Sequence, residues 1–246
     1  LDDPQTKCRL YEPMSRHTTI KIGGPAQYWI EPVSIEGFAK SLRFFFNKGI
    51  PVRVVGRGSN LLICDGGIPG AVIRPVGGEF EEVKISENVL TAGVGARYKK
   101  VSNVAKTNGV GGFEWMEGIP GNVGGGLRMN AGAMGFETFD QVVSIKYLDS
   151  EGELHEKMAE EFESNYRNVP QLNENYAVSA VLKGTKGDIK AIDNRIRESV
   201  ERRKRTQPIA ASAGCIFKNP TDVSAGQLIE ELGLKNANVG SARVSE

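Results

Sequence analysis

The sequence predicts a mixed α/β (α+β) fold, with a larger N-terminal domain built around two glycine loops and a smaller C-terminal domain. Three observations predict it. Short β-branched runs alternate with amphipathic segments through the first 183 residues. Residues 118–135 hold seven glycines but interleave Ile119, Val123, Leu127, Met129 and Met134, so they read as an ordered ligand loop and not as a featureless linker. Near Gly184–Gly187 the composition changes, and a helical pattern begins. The 246-residue length leaves ample core for two domains.

The elements follow in order. Gln27–Glu31 reads as a strand. Ser34 caps a helix running to about Asn47, with Phe38, Leu42, Phe45 and Phe46 on one face and Gly49 as its stop. Residues 51–55 form a second strand, and the β-α-β order predicts a parallel pair. Leu61-Leu62-Ile63 reads as a resumed strand. Ala71–Arg74, Glu81–Ile85 and Val89–Gly93 follow as short strands. Ala96–Thr107 reads as a helix stopped at Asn108-Gly109. Val142–Asp149 and Glu153–Lys157 read as a hairpin around Ser150-Glu151-Gly152, and Ala177–Lys183 as a further strand. From Asp188 to Arg205, Ile189, Ile192, Ile196 and Val200 recur at helical spacing. Ser224 caps a short helix through Leu232, closed by Gly233.

Thirty-one basic and thirty acidic residues give a formal charge of +1, which argues against a nucleic-acid surface. No apolar stretch approaches a membrane span, and Leu1–Lys7 has neither the apolar core nor the charged region of a secretory leader. Cys8, Cys64 and Cys215 are far apart and without metal-ligand spacing, so a reducing, cytoplasmic setting is expected. With only His17 and His155 present, no metal site or His-dependent triad is expected.

Glycine lets backbone amides approach a ligand closely, and successive amides make a concavity suited to a diphosphate. Gly56-Arg57-Gly58-Ser59-Asn60 is one such turn, and 118–135 is the other. The first lacks the helix that a dinucleotide fingerprint requires and the Lys-Ser/Thr of a Walker loop. Together the two suggest backbone cradles on one extended cofactor. A β-branched side chain at Gly124 is expected to occupy space meant for that ligand.

Three further sites have two readings each. Cys215 in Gly214-Cys215-Ile216-Phe217-Lys218-Asn219-Pro220 is either a small core hydrophobe or a thiol that delivers a proton to a carbanion. Arg167, after Tyr166, is either a solvated surface cation or a stabiliser of developing carboxylate charge. Arg202-Arg203-Lys204-Arg205 is favourable charge at a helix C-terminus, a diphosphate site, or both. The acidic cluster Glu151–Glu163 reads as a solvated face.

Thr18–Ala26, Gly56–Asn60, Gly118–Gly135, Tyr166-Arg167 and Gly214–Pro220, in this order and at these distances, resemble the UDP-N-acetylenolpyruvoylglucosamine reductase (MurB) family. The resemblance implies a bipartite FAD-binding domain of the vanillyl-alcohol oxidase/p-cresol methylhydroxylase type, with non-covalent FAD and with NADPH as reductant. Residues 1–186 would form it, in lobes of about 1–78 and 79–186, and 187–246 would form an incomplete substrate domain. Val55, Gly56, Arg57, Gly58, Ser59, Asn60 and Leu61 would hold FAD. So would Pro120, Gly121, Val123, Gly124, Gly125, Asn130, Ala131 and Gly132. Arg167 and Cys215 match the family's catalytic arginine and proton donor. Tyr166, Arg205, Lys218 and Asn219 match substrate-contacting positions. The implied reaction is NADPH-dependent reduction of a UDP-sugar enolpyruvyl ether to UDP-N-acetylmuramate in peptidoglycan precursor synthesis, by a protein expected to be a cytoplasmic monomer.

The short stretch between Arg167 and Cys215 resembles the compact form of the family, which lacks an extra substrate-covering loop. The family's third catalytic residue, a glutamate in a later segment, has no match here, and Glu246 lies too early to take that role. Two other functions are weighed on the same residues. One is a flavin oxidase of the same fold, and the other is a nucleotide-sugar-binding protein without turnover.

Overall fold

The structure is a computed structural model that describes residues 3–207 and 210–244; Glu246 lies outside the described residues. The chain divides into two compact units between Ala213 and Gly214.

The first unit holds two sheets. β1 (Lys7–Pro13) and β2 (Pro25–Glu31) are antiparallel, and α1 (Ile35–Asn47) leads to β3 (Val52–Val54) and β4 (Ile68–Ile73). The strand order is β1-β2-β4-β3, with β4 parallel to both β2 and β3. The β-α-β pair is therefore parallel but not adjacent, because β4 lies between its strands. β5 (Val83–Ser86) and β6 (Val89–Gly93) open the second sheet. They are followed by α2 (Tyr98–Thr107), β7 (Val110–Gly111), α3 (Val123–Arg128) and the small pair β8 (Gly132–Ala133) and β9 (Phe136–Glu137). β10 (Val142–Leu148), β11 (Leu154–Met158) and β12 (Tyr176–Lys183) complete the antiparallel order β11-β10-β12-β6-β5. β13 (Thr185–Lys186) pairs with β7 and leads into α4 (Ile189–Thr206).

Ser34 Oγ accepts from the Gly37 N–H at 3.1 Å, which sets the first turn of α1. Phe38, Leu42 and Phe45 are buried, whereas Phe46, expected on the same face, is 51% exposed. One apolar cluster joins Ile30, Phe38 and Ile73 of the first sheet and its helix to Leu90, Ile145 and Ala180 of the second.

Three expectations change. Leu61–Ile63 is not a strand: the Cys64 carbonyl accepts from both Gly24 and Gly67, so the backbone turns before it can form a ladder. Leu62 is 64% exposed, and Ile63 anchors beside Met14 and Trp29. The 118–135 run is not loop throughout, since it contains α3 and the β8–β9 pair. Finally, α4 packs on the first unit. It buries Ile192, Ile196 and Ser199 and pairs Arg195 with Glu114 at 2.7 Å and Asp193 with Lys106 at 3.1 Å. The unit boundary therefore falls after this helix and not at 186/187.

Replacing Phe38 by Ala is expected to cost ~3–5 kcal/mol, because it empties a fully buried site. Phe46→Ala is expected to change stability by no more than about 0.5 kcal/mol. Urea unfolding of the two variants checks which face of α1 is the core face.

Candidate active site

The Val55 N–H donates to the Ile73 carbonyl at 3.0 Å and ends the β3–β4 ladder. Among the described residues, the backbone N–H groups of Gly56 to Leu61, like those of Leu62 to Gly66 after them, find no protein acceptor. Gly58 is buried and Gly56, Ser59 and Leu61 are half-buried, so the loop carries a row of amide donors at a partly dry surface. Gly58 has φ +67°, and a Cβ there would run into the His17 carbonyl; its own carbonyl accepts from the Thr19 N–H at 3.1 Å.

Cations gather at this loop. Partial burial, then repulsion from Arg97 and Arg74, hold Arg57 below the usual arginine range. Arg74 pairs with buried Glu31 at 3.4 Å and lies over the Trp29 ring. Its Nη1 is 3.3 Å from His17 Nδ1, and arginine can only donate, so that nitrogen is the acceptor. This assigns the His17 proton to Nε2, which donates to Glu12 Oε1 at 2.9 Å while the ring stacks on Trp29 at 3.8 Å. The network braces the segment beneath Gly58.

The second glycine run is built differently, because most of its amides have partners. Gly121 N–H donates to Ile119, Val123 to Ala96, Gly124 to Val94, Gly126 to Asn122 and Ala131 to Gly126. Asn122 Oδ1 caps α3 by accepting from the Gly125 N–H at 3.4 Å. Several of these glycines are required by the protein itself. A Cβ at Gly118 would meet only the flexible Arg203 side chain, whereas one at Gly126 would collide with the Tyr98 hydroxyl and one at Gly132 with the Phe136 carbonyl. Gly124 also belongs here: its Cβ would meet Val94 at 3.0 Å, so a valine there disturbs packing before it meets any ligand. Val123 is buried in the core. Gly121 and Gly125 lack close neighbours, as does Gly135 at the far end of the run, where φ is +84°, and Pro120 is exposed. The run is a largely satisfied wall, and the row of open amides belongs to the first loop. The two meet where the Asn122 carboxamide lies against Gly56 and where a Cβ at Gly121 would be 4.0 Å from Ser59 Oγ.

Arg167 joins this assembly. Its backbone has φ +58°, and its guanidinium lies over the Tyr166 ring. Nη1 and Nη2 donate to the Asn130 and Gly132 carbonyls at 3.2 and 3.3 Å. Asn130 is buried, donating to Glu137 at 2.7 Å and accepting from the Phe139 N–H at 3.1 Å. The Ala131 carbonyl accepts from Thr138 Oγ1 at 2.7 Å, and the Thr138 hydroxyl meets Tyr98. Among the described residues no carboxylate pairs with Arg167.

Arg205, in the last turn of α4, is exposed and makes no ion pair among the described residues. The cation that meets the glycine run is Arg203, at Gly118. Beside it, Trp115, Met134, Phe136, Ser199 and Arg202 line part of a cavity of about 470 Å³.

In the second unit, Gly214 has φ +81° and Cys215 is exposed, so the core-hydrophobe reading of this thiol does not hold. Lys218 is exposed. Asn219 Oδ1 accepts from the Ala225 N–H at 3.1 Å at the start of α5 (Ala225–Glu231), where Ser224 Oγ also caps Gln227. β14 (Asn238–Val239) and β15 (Ala242–Arg243) close the unit.

Sequence reading missed Asn122, Arg74 and Arg97. Asn122 carried a usable signal, an N-cap residue before a short apolar pattern, which the surrounding glycines obscured. The two arginines carried none, since only the fold brings them to Arg57.

Gly125→Ala separates ligand approach from packing, because its Cβ would meet only Asn122 Oδ1, at 3.4 Å. The helical position is expected to gain about 0.5–1 kcal/mol of stability. Affinity for FAD is expected to fall by about tenfold or more, read by flavin-fluorescence titration. Unchanged affinity would place the cofactor on another face.

Residues 26–157 match a family described as FAD binding domain, and residues 203–246 match the C-terminal domain of UDP-N-acetylenolpyruvoylglucosamine reductase. The reductase of Clostridium tetani is 42% identical over 237 residues, 96% of this chain and 76% of that protein. The one from Anoxybacillus flavithermus is 39% identical, covering 96% and 78%. The crystal structure of the Thermus caldophilus reductase aligns with a TM-score of 0.83 at 33% identity, over 98% of this chain and 84% of that one. Bermuda grass isoallergen BG60, at 16% identity and a TM-score of 0.55, shares the fold alone. The mixed α/β architecture with a flavin-binding domain is thus established, and the chain belongs to the UDP-N-acetylenolpyruvoylglucosamine reductase family.

Proposed function

We propose that the chain reduces UDP-N-acetylglucosamine enolpyruvate to UDP-N-acetylmuramate, using FAD and NADPH, in peptidoglycan precursor synthesis. The observation that carries the reading is Arg167, held by the Asn130 and Gly132 carbonyls inside the glycine run and without a carboxylate partner among the described residues. The site fits FAD: six unpaired amides from Gly56 to Leu61, with Arg57, Arg74 and Arg97 nearby, suit a diphosphate, and Gly121 and Gly125 leave room beside them. FAD, when bound, supplies the hydride transfer that no side chain provides.

The chain's own residues supply placement, charge and a proton. Arg167 stabilises the negative charge that develops on the substrate carboxylate after hydride arrives at the enolpyruvyl β-carbon. Cys215 protonates the α-carbon: the Sγ–H bond breaks, a C–H bond forms and a thiolate remains. Tyr166, Arg205, Lys218 and Asn219 bind substrate. Lys218 and Arg205 are exposed cations suited to its diphosphate, and the Asn219 amide group is free to donate while its oxygen holds Ala225. We assign cofactor binding to residues 1–186 and substrate binding to 187–246, with α4 lodged structurally in the first unit. A cytoplasmic monomer that binds no nucleic acid fits the +1 charge and the three free cysteines. No described helix is long and apolar enough to cross a membrane.

Cys215→Ala is expected to leave flavin reduction by NADPH intact and to slow reoxidation by the enolpyruvyl substrate ~10²–10⁴-fold. Cys215→Ser is expected to retain much of the second half-reaction. Stopped-flow measurement of both half-reactions in the full-length protein decides; equal slowing of both, or of neither, removes Cys215 from the mechanism.

A further inference from the structure

We infer that Asn122 is a positioning residue whose carboxamide sets the gap between the two glycine loops, and through it the affinity for the cofactor. The inference rests on the FAD reading above. Asn122 is 9% exposed, and its neighbours are fastened to the β6–α2 connection: Tyr98 N–H donates to the Gly121 carbonyl at 3.2 Å and Val123 N–H to Ala96 at 2.9 Å. The residue is therefore fixed to a hydrogen-bonded wall. Its side chain reaches across to the first loop. The Oδ1, Nδ2 and Cγ atoms of Asn122 are the three nearest atoms that a Cβ at Gly56 would meet.

The first loop needs such a support. From Gly56 to Leu61 no amide donates to a protein acceptor among the described residues, so hydrogen bonds from its own N–H groups do not hold its shape. The Thr19 N–H bond to the Gly58 carbonyl and packing hold it instead, with Gly58 against His17 and Thr18, Ile63 in the core, and Gly56 against Asn122. Capping alone does not require asparagine, since serine caps a helix equally well. A serine, however, is one heavy-atom group shorter and leaves the space over Gly56 empty. A Cβ at Gly56 would have to displace the Asn122 carboxamide, and the pair fixes the distance between the amide cradle and the wall.

The test uses the full-length protein stripped of flavin, titrated with FAD and followed by fluorescence, visible spectrum and apo-protein Tm. Asn122→Ser is expected to keep the apo Tm, because the cap survives, and to raise the Kd for FAD about tenfold or more with a shifted flavin spectrum. Gly56→Ala alone is expected to weaken FAD binding. Combined with Asn122→Ser it is expected to bind FAD at least as well as Asn122→Ser alone, since the new methyl enters the vacated space. Wild-type FAD affinity in Asn122→Ser, or simple addition of the two losses, reduces Asn122 to a helix cap and overturns the inference. If Asn122→Ser fails to fold, recovery of folding by added Gly56→Ala supports the packing, and no recovery overturns it. Failure of the wild-type protein itself to bind FAD would instead overturn the functional reading.

Discussion

Six consecutive backbone amides, from Gly56 to Leu61, have no protein acceptor among the described residues, and the surrounding segments of the first unit hold them in place. Unpaired donors at a partly buried surface are costly, so a folded chain keeps such a row only where something else satisfies it. Holding it open requires supports on both sides. On one side stand His17 and Thr18, braced through Trp29, Arg74, Glu31 and Glu12; on the other stands Asn122. The loop is shaped by what it packs against.

The same constraint explains the contrast between the loops. The second run contains more glycine but leaves fewer donors open, because its glycines mainly admit Tyr98, Val94, Arg203 and the β9 backbone. Glycine content therefore marks close approach without saying what approaches. At Gly121 and Gly125 the space is open; at Gly124 and Gly126 the protein fills it.

Charge is organised on the same plan. A chain of near-zero net charge draws Arg57, Arg74 and Arg97 to one loop, so that burial and mutual repulsion act on Arg57. Arg167 is held by carbonyl dipoles and, among the described residues, not by an acid, which leaves its charge available to a ligand. A carboxylate partner there would have neutralised the charge that the proposed chemistry requires.

Local patterns determined a good deal by themselves. The Ser34 cap and the spacing of Phe38, Leu42 and Phe45 specified α1, and short β-branched or aromatic runs specified β2, β3, β6, β10 and β12, because these signals act within a few residues. The motif order pointed to the family and to both glycine loops. Tertiary structure alone decided the rest. It inserted β4 between β2 and β3, exposed Phe46, turned Leu61–Ile63 away from a ladder and docked α4 on the first unit. It also decided which glycines have open space beside them, and it brought Asn122 to Gly56 and the charges of Arg97 and Arg74 within range of Arg57. Those approaches join residues well separated along the chain, so no local propensity encodes them. They exist only once the two sheets share a core and fix the positions of the loops.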